Sequence, residues 1–183
     1  MTAAALPLVA IGVGNVLRRD DAVGVRVIEG LRAVAAHDPR ALPPGTRLVD
    51  GGTLGLDLLG VVEGARGVVL VDAVRLGGTA GTVSVLHGNA IVSAGGHRDG
   101  EPTSAVGELL AVARLMAWLP EPVSMVGIEI ADIEFGMHLS PMVDAALPAA
   151  MDAVRTELRR MDDLPTTPTA GGHATGPLAG AMA

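Results

Sequence analysis

The residues best suited to chemistry near the start of the chain are two adjacent carboxylates, Asp20 and Asp21, that follow a glycine turn. Gly12 and Gly14 end an apolar run, and an amphipathic run begins at Val23, which predicts a strand, a tight turn and a helix. Turns of this kind lie where α/β proteins bind ligands. Two ligand chemistries are open: a phosphate held by the glycines, or a metal ion held by the carboxylates.

A dinucleotide is the first alternative. The two glycines match the start of the glycine-rich fingerprint, and Asp50 after the second strand would contact the ribose. However, Leu17 stands where the fingerprint requires its third glycine. The two carboxylates also lie where the helix N-terminus would receive a pyrophosphate, and their charge would repel it. The sequence therefore disfavours a nucleotide.

A metal ion is the second alternative. Asp21 follows the first predicted strand, and Asp72 stands at the carboxyl end of the third. These two strands are commonly neighbours in doubly wound sheets, so the carboxylates would face each other across the switch point. Two such ligands and a histidine would form an open site for a first-row metal. Structural roles are also open: a helix-entry acid for Asp21, a bond to loop amides for Asp72, and a turn former for Asp50.

The rest of the sequence predicts the elements that position these carboxylates. Buried apolar runs predict strands, and apolar residues at three- and four-residue spacing predict helices. We expect strands at 6–11, 46–49, 67–71 and 123–130, an edge strand or hairpin arm at 82–86, and helices at about 20–38, 54–64, 106–116 and 141–161. Ser140 is the expected N-cap of the last helix.

This alternation predicts one three-layer α/β/α domain over residues 1–161, built on a mostly parallel sheet of about five strands. Residues 88–103 are polar and glycine-rich, which favours a surface loop. Residues 162–183 are rich in Thr, Pro, Gly and Ala, and we expect a disordered tail there, because little apolar surface is available to offset ordering.

Composition disfavours several classes of function. A net charge of −7, one Phe, one Trp and no Tyr argue against a nucleic-acid partner. The chain has no Cys for disulfides or thiolate metal sites. We expect a cytoplasmic monomer with no membrane contact, because no spanning run, secretory signal or heptad seam is apparent. Serine hydrolase and zincin motifs are also absent from the sequence.

Four stretches of the sequence resemble the nickel–iron hydrogenase maturation proteases. Residues 12–25 read GVGNVLRRDDAVGV, and the later blocks DGGTLG, VDA and LSP begin at positions 50, 71 and 139. The resemblance covers residues 8–160. It implies an α/β/α fold and a cytoplasmic endopeptidase that removes a C-terminal extension from a hydrogenase large subunit after nickel insertion. The metal it implies is the nickel of the substrate, and we expect no nucleotide cofactor because of the missing third glycine and the adjacent carboxylates.

The resemblance places the family's metal-contacting acids on Asp21 and Asp72, which are also the expected catalytic residues. The third family ligand is a histidine just before the third helix, and residues 100–106 contain none. His97 is the candidate replacement as metal ligand, and a solvated loop residue is the alternative role for it. Glu101 is another oxygen donor, and His138 is a weaker candidate.

Cleavage would use a metal-polarised carbonyl or a metal-bound water, with a carboxylate as base. Because the family histidine is missing, a second function stays open. In that alternative the chain is a non-catalytic homologue that holds the nickel-loaded precursor without cutting it. Nucleotide binding is a distant third.

Overall fold

The structure is a computed structural model that describes residues 6–91 and 105–165. One sheet contains five strands: β1 Leu8–Val13, β2 Arg47–Gly52, β3 Gly67–Val74, β4 Val83–His87 and β5 Val123–Glu129. The principal helices of the described ranges are α1 Val23–His37, α2 Leu59–Glu63, α3 Ala105–Leu115 and α4 Pro141–Asp162. Short 3-10 turns precede α1 and α2, at Arg19–Ala22 and Gly55–Leu58.

The strand order is β2-β1-β3-β5-β4, and all neighbours are parallel except β4, which runs antiparallel to β5. This confirms a mostly parallel five-stranded sheet with an edge strand at about 82–86. From β1 the chain continues to β2 on one side of the sheet, whereas from β3 it continues to β4 and then β5 on the other side. The switch point therefore lies between β1 and β3, where α/β proteins bind ligands.

Helices cover both faces of the sheet and produce the predicted three layers. Side chains of α1 and α4 pack on one face with alternate strand residues such as Leu8 and Ala10. Side chains of α2 and α3 pack on the other face with Val9 and Ile11. Every residue of β3 is buried, which explains why its sequence is a nearly continuous apolar run.

Three predicted elements differ in extent. Strand β2, expected over 46–49, continues to Gly52, so Asp50 lies within the strand and not after it. The helix expected over 54–64 is a 3-10 turn followed by the five-residue α2, because Gly55 has a φ of 53°, outside the right-handed helical region. Strand β3 does not stop at residue 71, because its pairing with β5 continues through Val74 and Glu129. Asp72 therefore lies within β3, two residues before its end.

The C-terminal part of the chain is described as far as residue 165, and α4 ends at Asp162. Residues 166–183 lie outside the described ranges, so the predicted division into a 1–161 domain and a 162–183 tail stays a prediction. Within the described ranges, no helix combines the length and the apolar character needed to span a membrane.

Candidate functional site

The turn after β1 fixes the carboxylate of Asp21. Gly14 has a φ of 134°, which favours glycine, and its N–H donates to the Gly52 carbonyl at 2.9 Å. The N–H of Asn15 donates to Oδ2 of Asp21, also at 2.9 Å. Asp21 is buried. These bonds hold its carboxylate against the carboxyl end of β1 and join the turn to β2.

Two other glycines of the same motif allow α1 to pack closely on the sheet. A Cβ on Gly24 would lie 2.3 Å from the carbonyl oxygen of Val71 and 2.4 Å from that of Val13. A Cβ on Gly12 would lie 2.1 Å from the Gly24 carbonyl oxygen. No side chain fits at these distances, so helix packing accounts for both glycines without a bound phosphate.

Asp72 lies at the same edge of the sheet as Asp21. Gly12 pairs with Val71 across β1 and β3, which places Asp72 level with Val13. The turn that holds Asp21 begins one residue after Val13. The two predicted acids therefore lie at the carboxyl ends of β1 and β3, on either side of the switch point.

Both carboxylates are buried and hydrogen-bonded. Oδ1 of Asp72 accepts a hydrogen bond from the N–H of Ala73 at 2.8 Å. Asp21 and Asp72 each make at least one interaction besides those named. Two buried carboxylates at one edge produce a local negative potential that favours a cation.

Asp20 has a structural role that sequence reasoning did not assign. It is fully buried and accepts hydrogen bonds from the N–H groups of Ala131 and Asp132, both at 3.0 Å. The N–H and hydroxyl of Ser140 also donate to it, at 2.6 and 2.9 Å. Ser140 is the N-cap residue as predicted, but its side chain contacts Asp20 instead of capping α4.

Arg19, between these groups and solvent, forms an ion pair with Asp132. Its φ of 40° lies in the left-handed region, which is uncommon for a residue with a side chain. A hydrogen bond from the Glu134 N–H holds the pKa of Asp132 below its ordinary value of 3.8, against the effect of desolvation, and Arg19 lowers it further. Asp132 is therefore ionised at neutral pH.

Asp50 is exposed on β2 and accepts a hydrogen bond from the Gly52 N–H at 3.0 Å. Gly52 has a φ of 42°. This geometry matches the turn-forming alternative, in which a short carboxylate bonds to the backbone two residues later.

A third metal donor is not found near these acids in the described part of the chain. Within residues 6–91 and 105–165, no three His, Cys, Asp or Glu side chains are grouped so that they could hold a metal ion. His138 is exposed and belongs to no such group. His97 and Glu101 lie outside the described residues, so their roles stay predictions. Imidazole is a better nickel ligand than carboxylate, so the two acids alone form an incomplete donor set.

A family model described as hydrogenase maturation protease matches residues 25–157. The hydrogenase expression/formation protein HupD of Rhodobacter capsulatus is 32% identical over 154 residues, covering 83% of this chain and 71% of HupD. The hydrogenase 2 maturation protease of Escherichia coli is 28% identical over 153 residues, covering 83% of this chain and 90% of that protein.

Among solved structures, the hydrogenase maturating endopeptidase HybD of Escherichia coli is similar to this chain with a TM-score of 0.74 and 26% identity. The similarity covers 84% of this chain and 93% of HybD. The turn that carries Asp20 and Asp21 lies just before the span of the family model.

Proposed function

Because the chain belongs to the hydrogenase maturation protease family, we propose that it is an endopeptidase that removes the C-terminal extension of a nickel–iron hydrogenase large subunit. Its substrate is the precursor of that subunit after nickel insertion. We also propose that it acts in the cytoplasm and that it is a monomer. Sedimentation of the purified protein tests the monomeric state.

One observation carries the proposed mechanism: two buried carboxylates, Asp21 and Asp72, lie at the carboxyl edge of β1 and β3. Carboxylate oxygens bind divalent cations and also accept protons. In this proposal they contact the nickel that the precursor already contains. The nickel belongs to the substrate, and its presence distinguishes a loaded precursor from an empty one.

Peptide cleavage adds water across the scissile amide. The water oxygen bonds to the carbonyl carbon, the C–N bond breaks, and the leaving amine takes a proton. Nickel held beside this bond supplies Lewis acidity. The chain supplies a carboxylate that accepts the proton of the attacking water and returns it to the amine. Asp21 and Asp72 are the proposed catalytic residues, and which of them is the base stays open.

The test replaces each acid without removing its hydrogen-bonding oxygen. Asp21→Asn and Asp72→Asn keep an acceptor for the backbone amide but lose the charge that nickel binding and proton transfer require. Each variant, co-expressed with the large-subunit precursor, is expected to leave the precursor at its slower-migrating length on a denaturing gel. Asp50→Asn, on the neighbouring strand and exposed, is the matched control and is expected to process normally.

Normal processing by both variants would exclude the proposed role of these acids. A wild-type protein that binds the nickel-loaded precursor and never shortens it would instead support the non-catalytic alternative. A rise in melting temperature with a nicotinamide or adenine nucleotide, and none with nickel, would favour nucleotide binding.

A further inference from the structure

Three large apolar side chains are exposed on two segments beside the candidate site. Phe135 is the only Phe of the chain, and 86% of its surface is exposed. Met137 is 59% exposed and Leu17 is 53% exposed. We call these three residues the apolar rim. Clustered exposure of this kind marks an interaction surface, because an isolated chain gains nothing from it.

A backbone bridge brings the three residues of the apolar rim together. Arg18 and Gly136 form a parallel β-bridge. The Gly136 N–H donates to the Leu17 carbonyl at 3.0 Å, and the Arg19 N–H donates to the Gly136 carbonyl at 2.8 Å. Leu17 therefore lies beside Phe135 and Met137, although about 120 positions separate them in the sequence.

The apolar rim is held in place by the residue that precedes Asp21. Asp20 accepts hydrogen bonds from the backbone N–H groups of Ala131, Asp132 and Ser140. These donors flank the segment that carries Phe135 and Met137. The surface is thus fixed relative to the candidate catalytic carboxylate. A fixed surface binds with a smaller loss of conformational entropy than a flexible one.

The apolar rim also carries a cation. The guanidinium carbon of Arg18 lies 5.9 Å from the centre of the Phe135 ring. Arg19 is paired with Asp132, whereas no ion pair of Arg18 is found in the part of the chain that the structure describes. The chemistry that complements this surface is an apolar side chain together with a carboxylate.

We propose that the apolar rim and Arg18 bind the C-terminal extension of the precursor, through an apolar side chain and a carboxylate of that extended segment. This proposal rests on the proposed function, because it assigns the position of the substrate at the same site. Leu17 and Arg18 belong to the same turn as Asp21, so a peptide bound on the apolar rim lies next to the candidate catalytic carboxylate.

The test measures cleavage of purified nickel-loaded precursor by Phe135→Ser/Met137→Ser. We expect KM to rise about tenfold or more, since removal of an aromatic side chain that becomes buried on binding has effects of this size. The kcat is expected to stay within about twofold. Leu115→Ser is the matched control, because Leu115 is also 86% exposed but lies at the end of α3. The control is expected to leave KM unchanged, and all variants are expected to keep the wild-type melting temperature.

A second variant tests the charge. Arg18→Ala is expected to raise KM and to reduce the dependence of KM on salt concentration, because the screened charge pair is lost. An unchanged KM in both variants, with wild-type cleavage intact, overturns the proposal. A wild-type dimer that Phe135→Ser/Met137→Ser converts to a monomer also overturns it, because a second copy of the chain would then cover the apolar rim.

Failure of the proposed function gives a different result. If the wild type binds the precursor and leaves it uncut, the Kd for the precursor is measured in place of KM. A Kd of the same variants that is about tenfold higher than that of the wild type then still supports the apolar rim as the binding surface. If the wild type does not bind the precursor at all, both proposals are wrong.

Discussion

Asp20 and Asp21 are chemically identical neighbours with different surroundings. Asp20 is enclosed by four hydrogen-bond donors from the segment between β5 and α4. Asp21 accepts a hydrogen bond from a backbone N–H of its own turn and lies at the switch point between β1 and β3. The first is a structural anchor, and the second is left as the candidate for nickel binding.

The anchor role predicts a large effect for Asp20→Asn. Either orientation of the new amide points its NH2 at backbone N–H groups, because Oδ1 faces Ser140 and Oδ2 faces Ala131 and Asp132. We expect the free energy of unfolding to fall by about 3 kcal/mol, in the range for breaking a buried charged network. Denaturant unfolding measures it. Asp50→Asn, at an exposed turn, should stay within about 0.5 kcal/mol of wild type. Equal losses in both variants would contradict the assignment.

Close helix packing is the main lesson at the level of elements. Helix α1 begins on the carbonyl groups of β1 and β3, which a side chain at residue 24 would push apart. Gly24→Ala is therefore expected to lower the free energy of unfolding by about 3 kcal/mol, as overpacking does. Gly60, exposed on α2, is the control, since a Cβ there meets nothing within 4 Å. Gly60→Ala is expected to raise the free energy of unfolding by about 0.5 kcal/mol. Similar tolerance at both positions would refute the packing argument.

Helix α4 is joined to the edge strand β4 through the buried Glu157. Its carboxylate bonds to Nε2 of His87 at 3.0 Å and to Nη2 of Arg160 at 2.8 Å. Burial acts to raise the pKa of Glu157, but hydrogen bonding, led by Arg160 and His87, and the charge of Arg160 together outweigh it and leave the pKa below the ordinary value of 4.5. The ionised form is thus favoured by the fold.

A lowered pKa gives a definite direction for the pH dependence. The stabilisation by Glu157 is present above pH 4.5, where the unfolded chain is ionised too, and is lost as the pH falls through the lower pKa of the folded state. Glu157→Gln is expected to lower the melting temperature at pH 7 and to have a smaller effect near pH 3. Glu63→Gln, exposed on α2, is the control and should show no such trend. A constant difference across this range would argue against the interaction.

At the scale of the whole molecule, the sequence predicts the features that depend on the local pattern of apolar and polar residues. Strands β1 and β3 were predictable because burial on both faces requires continuous apolar residues. The end of β3 was not, because its pairing with β5 carries the strand past Asp72 to Val74. The family expectation from the four motif blocks is confirmed by the family match. The short α2 was missed because a single glycine conformation at Gly55 interrupts an otherwise helical pattern.

The division of roles in the site depends on distant parts of the chain, which local pattern does not contain. Nothing near Asp20 in sequence indicates that Ala131 and Ser140 will enclose it. The apolar rim was missed for the same reason, because Phe135 and Leu17 become neighbours only through the bridge between Arg18 and Gly136.

The long separation between Asp20 and its partners has a consequence for biosynthesis. The residues that these hydrogen bonds join are separated by 111, 112 and 120 positions in the sequence. Closing so long a loop delays folding. During translation the N-terminal turn leaves the ribosome well before the residues that anchor it exist. The bonds that Asp20 accepts therefore form only after the start of α4 has been synthesised, whereas the bond between Gly14 and Gly52 within the same turn can form earlier.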